Sequence, residues 1–338
     1  MASGGIELAG HTKPIYACVA SKDGTLLLSA SGDETLRLWD LRDLCFIRSF
    51  VGHNCAVYSC AFSPDGLWAL SGSLDGVIKL WQVSTGTQIF SLVEHKEAVM
   101  SICFSPIKFD PQAEAAHLPD QDSLETSPSL PPDSAVTWKY TAASASADKT
   151  IALWLLEICE QDHKNEELLQ VPELGRLQSG EVFAGNARQA RDDREQGKVG
   201  EFVVTVGKSA SLVGHRHAVN GVIFSPDGQH IVSASADGTL KVWSTKTCLA
   251  VRTLTGHTDA VMAVDISSDS SLALSASQDH TLRLWVLSTG KQVKVLKGHR
   301  AAVRCCCFSG ELSTQGAQRK GLLASHPIAR IRCAVSGI

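Results

Sequence analysis

A Gly-His dipeptide recurs along the chain at Gly10-His11, Gly52-His53, Gly214-His215, Gly256-His257 and Gly298-His299, with Glu94-His95 as a variant. Successive histidines stand 42, 42, 120, 42 and 42 residues apart. A fixed period of this length makes the fold a series of like units, each burying its apolar face on its neighbours. An inner ruler repeats within the unit. An Asp falls 22 residues after the His and a Trp 6 later, giving Asp33 and Trp39, Asp75 and Trp81, Asp237 and Trp243, Asp279 and Trp285. The third unit keeps this ending as Asp148 and Trp154 but delays it by 31 residues. Between these markers, short apolar runs alternate with turn chemistry: Ala56 to Phe62, Ser63-Pro64-Asp65-Gly66, Leu67 to Ser71, Asp75-Gly76 and Val77 to Trp81. Runs of about four to seven residues suit strands and are too short for helices. Gln88 to Val93 supplies a fourth strand before the next His.

A four-stranded unit of 42 residues with Gly-His, Asp and Trp at these places resembles the WD-repeat family. The resemblance implies an all-β propeller, with radial four-stranded blades around a channel. Six blades are expected, with a seventh as the alternative, and the last incomplete or irregular. The repeat is offset from the blade in that family, so Gly-His joins the outer strand of one blade to the inner strand of the next. Ile6 to Leu8 then reads as an outer strand that closes the ring on the last blade, removing an open edge.

Each complete unit also carries a Ser, which with His and Asp suggests a hydrolase triad. Repetition at one spacing argues against that, because an active site needs one constellation in one cleft. The resemblance implies instead a structural hydrogen-bond network in every blade, costly if any buried member is left unpaired. Its members are His11, Ser29, Asp33 and Trp39; His53, Ser71, Asp75 and Trp81; His95, Ser144, Asp148 and Trp154; His215, Ser233, Asp237 and Trp243; His257, Ser275, Asp279 and Trp285. A second Ser stands two residues before each Asp, at Ser31, Ser73, Ser146, Ser235 and Ser277, and the earlier Ser is the expected member.

Composition excludes several other functions. Lys plus Arg number 31 against 35 Asp plus Glu, leaving no basic excess for a phosphate backbone or an anionic membrane. Neither nucleic acid nor membrane is therefore an expected partner. No apolar run reaches the roughly 18 residues of a spanning helix, and MASGGIELAGHTK lacks the pattern of a signal peptide, so the cytoplasm or nucleus is expected. Eleven cysteines without such a signal read as reduced thiols. Cys305, Cys306 and Cys307 are adjacent, unlike the separated pairs of a zinc site, and read as small hydrophobes. With no P-loop, zinc-protease helix or nucleophile elbow, a non-enzymatic chain without cofactor or metal is expected.

The whole chain, 1–338, reads as one propeller domain with two inserts and an atypical tail. The first insert, about 107–137, holds five prolines and six acids against Lys108, which suits a mobile loop inside one blade. Ser127-Pro128 within it is a candidate site for a proline-directed kinase. The second, about 159–205, is 47 residues in excess; it reads as a loop or, since Gly200 to Val206 looks like a strand, as a degenerate extra blade. The sixth unit opens with Gly298-His299 and Ala302 to Phe308 but shows no Asp with a Trp 6 later. Its tail, about 309–338, leaves ring closure open and suits a truncated or spliced chain.

Strands consume the apolar residues, so recognition falls to loops. The resemblance implies partner contacts through residues three and five after the His and one before the Asp. The fifth-after positions are Tyr16, Tyr58, Met100, Asn220, Met262 and Arg304; the before-Asp positions are Gly32, Leu74, Ala147, Ala236 and Gln278; the third-after positions are Pro14 and otherwise Ala. Tyr16, Tyr58, Leu74, Met100, Asn220, Met262, Gln278 and Arg304 stand out as a platform for proteins or peptides. Trp39-Asp40-Leu41-Arg42 is also similar to the motif of WD-repeat substrate receptors of cullin-based ubiquitin ligases, with Asp40 and Arg42 facing the adaptor. A scaffold assembling a multiprotein complex is the leading expectation, and such a receptor the alternative.

Overall fold

The computed structural model describes residues 7–106, 137–161, 201–308 and 331–332. These residues form five four-stranded antiparallel sheets and one two-stranded sheet, with no helix among them. Blade one is β1 (Ile15–Ala20), β2 (Leu26–Ser31), β3 (Thr35–Asp40) and β4 (Cys45–Val51). Blade two is β5 (Val57–Phe62), β6 (Trp68–Ser73), β7 (Val77–Gln82) and β8 (Gln88–Val93). Blade three is β9 (Val99–Phe104), β10 (Thr137–Ser146), β11 (Thr150–Gln161) and β12 (Glu201–Val213). Blade four is β13 (Val219–Phe224), β14 (His230–Ser235), β15 (Thr239–Ser244) and β16 (Ala250–Thr255). Blade five is β17 (Val261–Ile266), β18 (Leu272–Ser277), β19 (Leu282–Val286) and β20 (Gln292–Leu296). The sixth sheet pairs β21 (Cys307–Phe308) with β22 (Ile331–Arg332).

The first turns of blades one, two, four and five are closed by their own side chains. Leu26 N–H donates to Ser21 Oγ at 2.9 Å and Ser21 Oγ donates to Asp23 at 2.5 Å; Ser63 with Asp65, and Ser225 with Asp227, repeat the arrangement. The second strands are buried along most of their length, so the core lies between blades. One cluster joins Leu28, Leu38 and Phe50 of blade one to Val57, Ala69 and Trp81 of blade two. Each outer strand in blades one to five carries a bulge beside the unit's Trp, as between Leu38/Trp39 and Leu284/Trp285. Such bulges twist an outer edge away from pairing with another sheet.

Blade three shows how the first insert is tolerated. β9 and β10 pair from Phe104↔Ala142 to Val99↔Ser146, on either side of residues 107–136. Closing a long connection costs little more than closing a shorter one, so the sheet survives the interruption. The second insert is narrower than the expected 159–205, because β11 reaches Gln161 and pairs there with Glu201. The strand expected at Gly200 to Val206 is therefore the start of the outer strand of blade three and not of an extra blade. The kinase site at Ser127, the mobility of the first loop and most of the 309–338 tail lie outside the described residues.

The last unit departs from expectation. Of Ala302 to Phe308 only Cys307–Phe308 is strand, and Glu7 and Leu8 lie in no strand, contrary to the outer strand expected at Ile6 to Leu8; Ile6 lies outside the described residues. The physical reason is that the described sixth sheet has two-residue strands and offers no third strand for residues 7 and 8 to pair with. The consequence shows in one repeated position, four residues after each His. Val57, Val99, Val219, Val261 and Val303 are fully buried against the preceding blade, while Ile15 is 52% exposed.

Candidate functional site

The loops carrying His and the turns carrying Asp lie at one end of the blades, because strand one begins and strand two ends there. Four of the five networks are complete. His11 Nδ1 stands 2.8 Å from Asp33 Oδ2, and His11 Nε2 2.8 Å from Ser29 Oγ, which also accepts from Trp39 Nε1 at 2.8 Å. His95, Ser144, Asp148 and Trp154 repeat this, as do His215, Ser233, Asp237 and Trp243, and His257, Ser275, Asp279 and Trp285. Of the two serines in each unit, the earlier takes the network position. Ser31 Oγ instead donates to Lys13 O and Pro14 O and accepts from Asp33 N.

A threonine two residues after the Asp completes these sites. Thr35, Thr150, Thr239 and Thr281 each donate Oγ1–H to the carboxylate at 2.6 Å. The Asp-x-Thr spacing was legible in four units and is the signal that sequence reasoning missed. Burial alone would raise the Asp279 carboxyl, but bonds from Thr281, His257 and the Thr258 N–H hold it at about 2. Asp33 and Asp237 are likewise held well below the usual carboxylate range against their burial. Burial also pushes His215 and His257 down, against the pull of their Asp partners.

The second unit corrects the expectation for Asp75. His53 Nε2 keeps Ser71 Oγ at 2.7 Å and Trp81 Nε1 donates to it at 2.8 Å, but His53 Nδ1 has no partner and Asp75 is exposed. Val77 stands where the other units have Thr, so the hydroxyl that fixes the carboxylate is missing; among the described residues only the Val77 N–H reaches Asp75, at 3.2 Å. The turn sits hard against blade three. A Cβ at Gly76 would collide with His95 O, whereas at the equivalent Gly238 it would be 3.4 Å from His257 O. Glu34, Lys149 and His280 adopt the same positive φ, so close approach, not the dihedral alone, requires Gly76.

The candidate recognition residues owe their presentation to a regular defect. The first-to-second strand registers shift between Ile15/Ala17, Val57/Ser59, Val219/Gly221 and Val261/Ala263, and beside Ser146↔Val99 in blade three. The skipped residues are Tyr16, Tyr58, Asn220, Met262 and Met100, the fifth after each His. A bulge re-aims its side chain out of the ladder. The Tyr16 and Tyr58 rings meet edge to face with centroids 4.6 Å apart, and Tyr16 is 49% exposed. Leu74, also exposed, follows Ser73, which pairs with Val57 beside Tyr58. A second group forms across blades four and five: Asn220 Nδ2 donates to Val261 O at 2.9 Å, and Gln278 Nε2 lies 3.5 Å from Met262 Sδ. Met100 is half-buried, and Arg304 is exposed ahead of β21, outside any bulge. Asp40, the last residue of β3, and Arg42 in the turn after it lie at the opposite end, where Asp40 Oδ1 accepts from Arg42 N at 2.6 Å.

The WD40 family model, described as WD domain, G-beta repeat, matches residues 5–40, 44–82, 207–244, 248–286 and 290–314, together more than half of the chain. The chain belongs to the WD40 repeat family. The matches pass over 83–206, where the inserts interrupt the third WD40 unit, although its blade is complete in the fold. A stretch of 34 residues is 56% identical to Ribosome assembly protein 4 of Saccharomyces cerevisiae, covering 10% of this chain and 7% of that protein. Another comparison aligns 45 residues at 49% identity with MST50-interacting protein 11 of Pyricularia oryzae, 13% of this chain and 14% of that protein. The chain thus covers well under two thirds of either relative. Proteins of the WD40 family generally act as non-enzymatic scaffolds for protein–protein interaction.

Proposed function

We propose that this WD40 chain is a non-enzymatic scaffold that assembles a multiprotein complex through the His/Asp end of its blades. The observation that carries this reading is the row of bulged residues there, with Tyr16, Tyr58 and Met262 presented on a rigid frame. Rigid aromatic side chains lose little conformational freedom on binding, and Tyr and Met are favoured interface residues. Proximity labelling in cells, comparing wild type with a Tyr16, Tyr58 and Met262 to Ala variant, tests it. Neighbours that disappear with the triple variant, at an unchanged melting temperature, are expected; an unaltered neighbour list overturns the platform.

The receptor alternative rests on Arg42, exposed at the other end of the blades. Because the two surfaces are at opposite ends, Arg42→Ala separates them in the same experiment. Cullin and adaptor peptides lost with Arg42→Ala alone would favour the receptor.

A further inference from the structure

Asp75 is the one carboxylate among the five repeated Asp positions that no His holds. It is exposed and makes no ion pair among the described residues, and it follows Leu74, which is 46% exposed. On the neighbouring strand Val57 pairs with Ser73, two residues before Asp75, and Tyr58 follows Val57 with its ring against that of Tyr16. Beneath lies His53, 5% exposed, with Nδ1 unpartnered and directed where its Asp sits in the other blades. Lys79 senses the Asp75 charge, but its ammonium is bonded to Gln88 Oε1 at 2.6 Å. Lys96 and Glu97 of the next blade are exposed nearby, and neither forms an ion pair with Asp75.

We propose that Tyr16, Tyr58, Leu74 and Asp75 form a pocket for an arginine side chain of a partner polypeptide, the guanidinium lying on the tyrosine rings and forked onto Asp75. This rests on the scaffold reading above and specifies what the platform takes. Arginine fits better than lysine, because its planar group offers paired donors to a carboxylate while stacking on aromatic faces. Leu74 serves an apolar neighbour of the arginine in the partner. Burial first, and Lys79 second, hold His53 down to about 4, so the imidazole beneath is neutral near pH 7 and does not repel the guanidinium. The second blade has therefore exchanged a structural ion pair for a free recognition charge.

The test is selection of a random decapeptide library, displayed on phage, on the 338-residue chain. Enriched peptides are synthesised and measured against wild type, Asp75→Asn and Val77→Thr. Val77→Thr restores the hydroxyl that the other units use, turning Asp75 back onto His53 without removing it. Peptides enriched in arginine are expected, with affinity falling about tenfold in both variants and on replacing the arginine by citrulline. Retained melting temperatures exclude unfolding as the cause. Peptides lacking a basic residue, indifferent to Asp75→Asn but lost in the Tyr16, Tyr58 and Met262 variant, overturn the arginine pocket and leave the platform standing. No enrichment over an unrelated protein, or binding that survives every variant, overturns both.

Discussion

Val77 and the four threonines show how one hydroxyl decides the fate of a carboxylate. With Thr281 in place, His257 Nδ1 and Asp279 meet at 2.7 Å; with Val77, His53 Nδ1 stays without its carboxylate. His257→Ala abandons Asp279 and is expected to cost about 1 to 3 kcal/mol, whereas His53→Ala leaves no bonded carboxylate behind and should cost less. Paired urea denaturations check this. A pH dependence follows as well. His53 in the fold is held at about 4, below its ordinary 6.5, by burial first and Lys79 second. Between those values the unfolded chain binds a proton that the folded chain refuses, so this contribution is full above pH 6.5 and falls on acidification toward 4. Val77→Thr lets Asp75 support the imidazolium, so its melting temperature should fall less over that window; equal slopes would refute the pairing.

At the scale of elements, β17 and β21 are tied by an acid in an apolar place. Asp265 stands where the other inner strands have Val19, Ala61, Cys103, Ile223 and Cys307, and its Oδ2 accepts from Phe308 N at 2.6 Å. Burial raises its carboxyl above the ordinary range, against the bonds from Phe308 and Ile266. A raised acid favours the fold most at low pH and loses that contribution as pH rises through its folded value. Asp265→Leu should remove the tether and speed hydrogen exchange at Phe308, leaving amides in β18 protected. Exchange at Phe308 that does not change would mean the bond holds nothing. β1 and β5 show the value of a bulge: Tyr16 and Tyr58 leave the ladder while Ile15 and Val57 remain in it.

For the whole molecule, the decisive comparison is Ile15 with Val57. Val57→Ala removes a fully buried side chain between two blades and is expected to cost about 2 kcal/mol. Ile15→Ala, at an exposed position of the first blade, should cost under about 0.5 kcal/mol. Thermal unfolding of the two variants measures the difference. Equal costs would mean that blade one is covered in solution.

The period, the strand count and the turns were legible in the sequence, because each depends on residues a fixed distance apart in one unit; the choice of the earlier serine came from the family resemblance, since both serines recur at one spacing. The fate of Asp75 was less so, since it turns on Val77 together with the close approach of Gly76 to His95 in the next blade. Ring closure at Ile6 to Leu8 failed as an expectation because residues 7 and 8 need a partner strand that the last unit does not provide among the described residues. The sequence by itself determined the repeating unit, through local turn chemistry and the spacing of polar partners. Only the tertiary structure decided which units kept their networks and which side chains faced outward, because burial at each blade is set by the blade beside it.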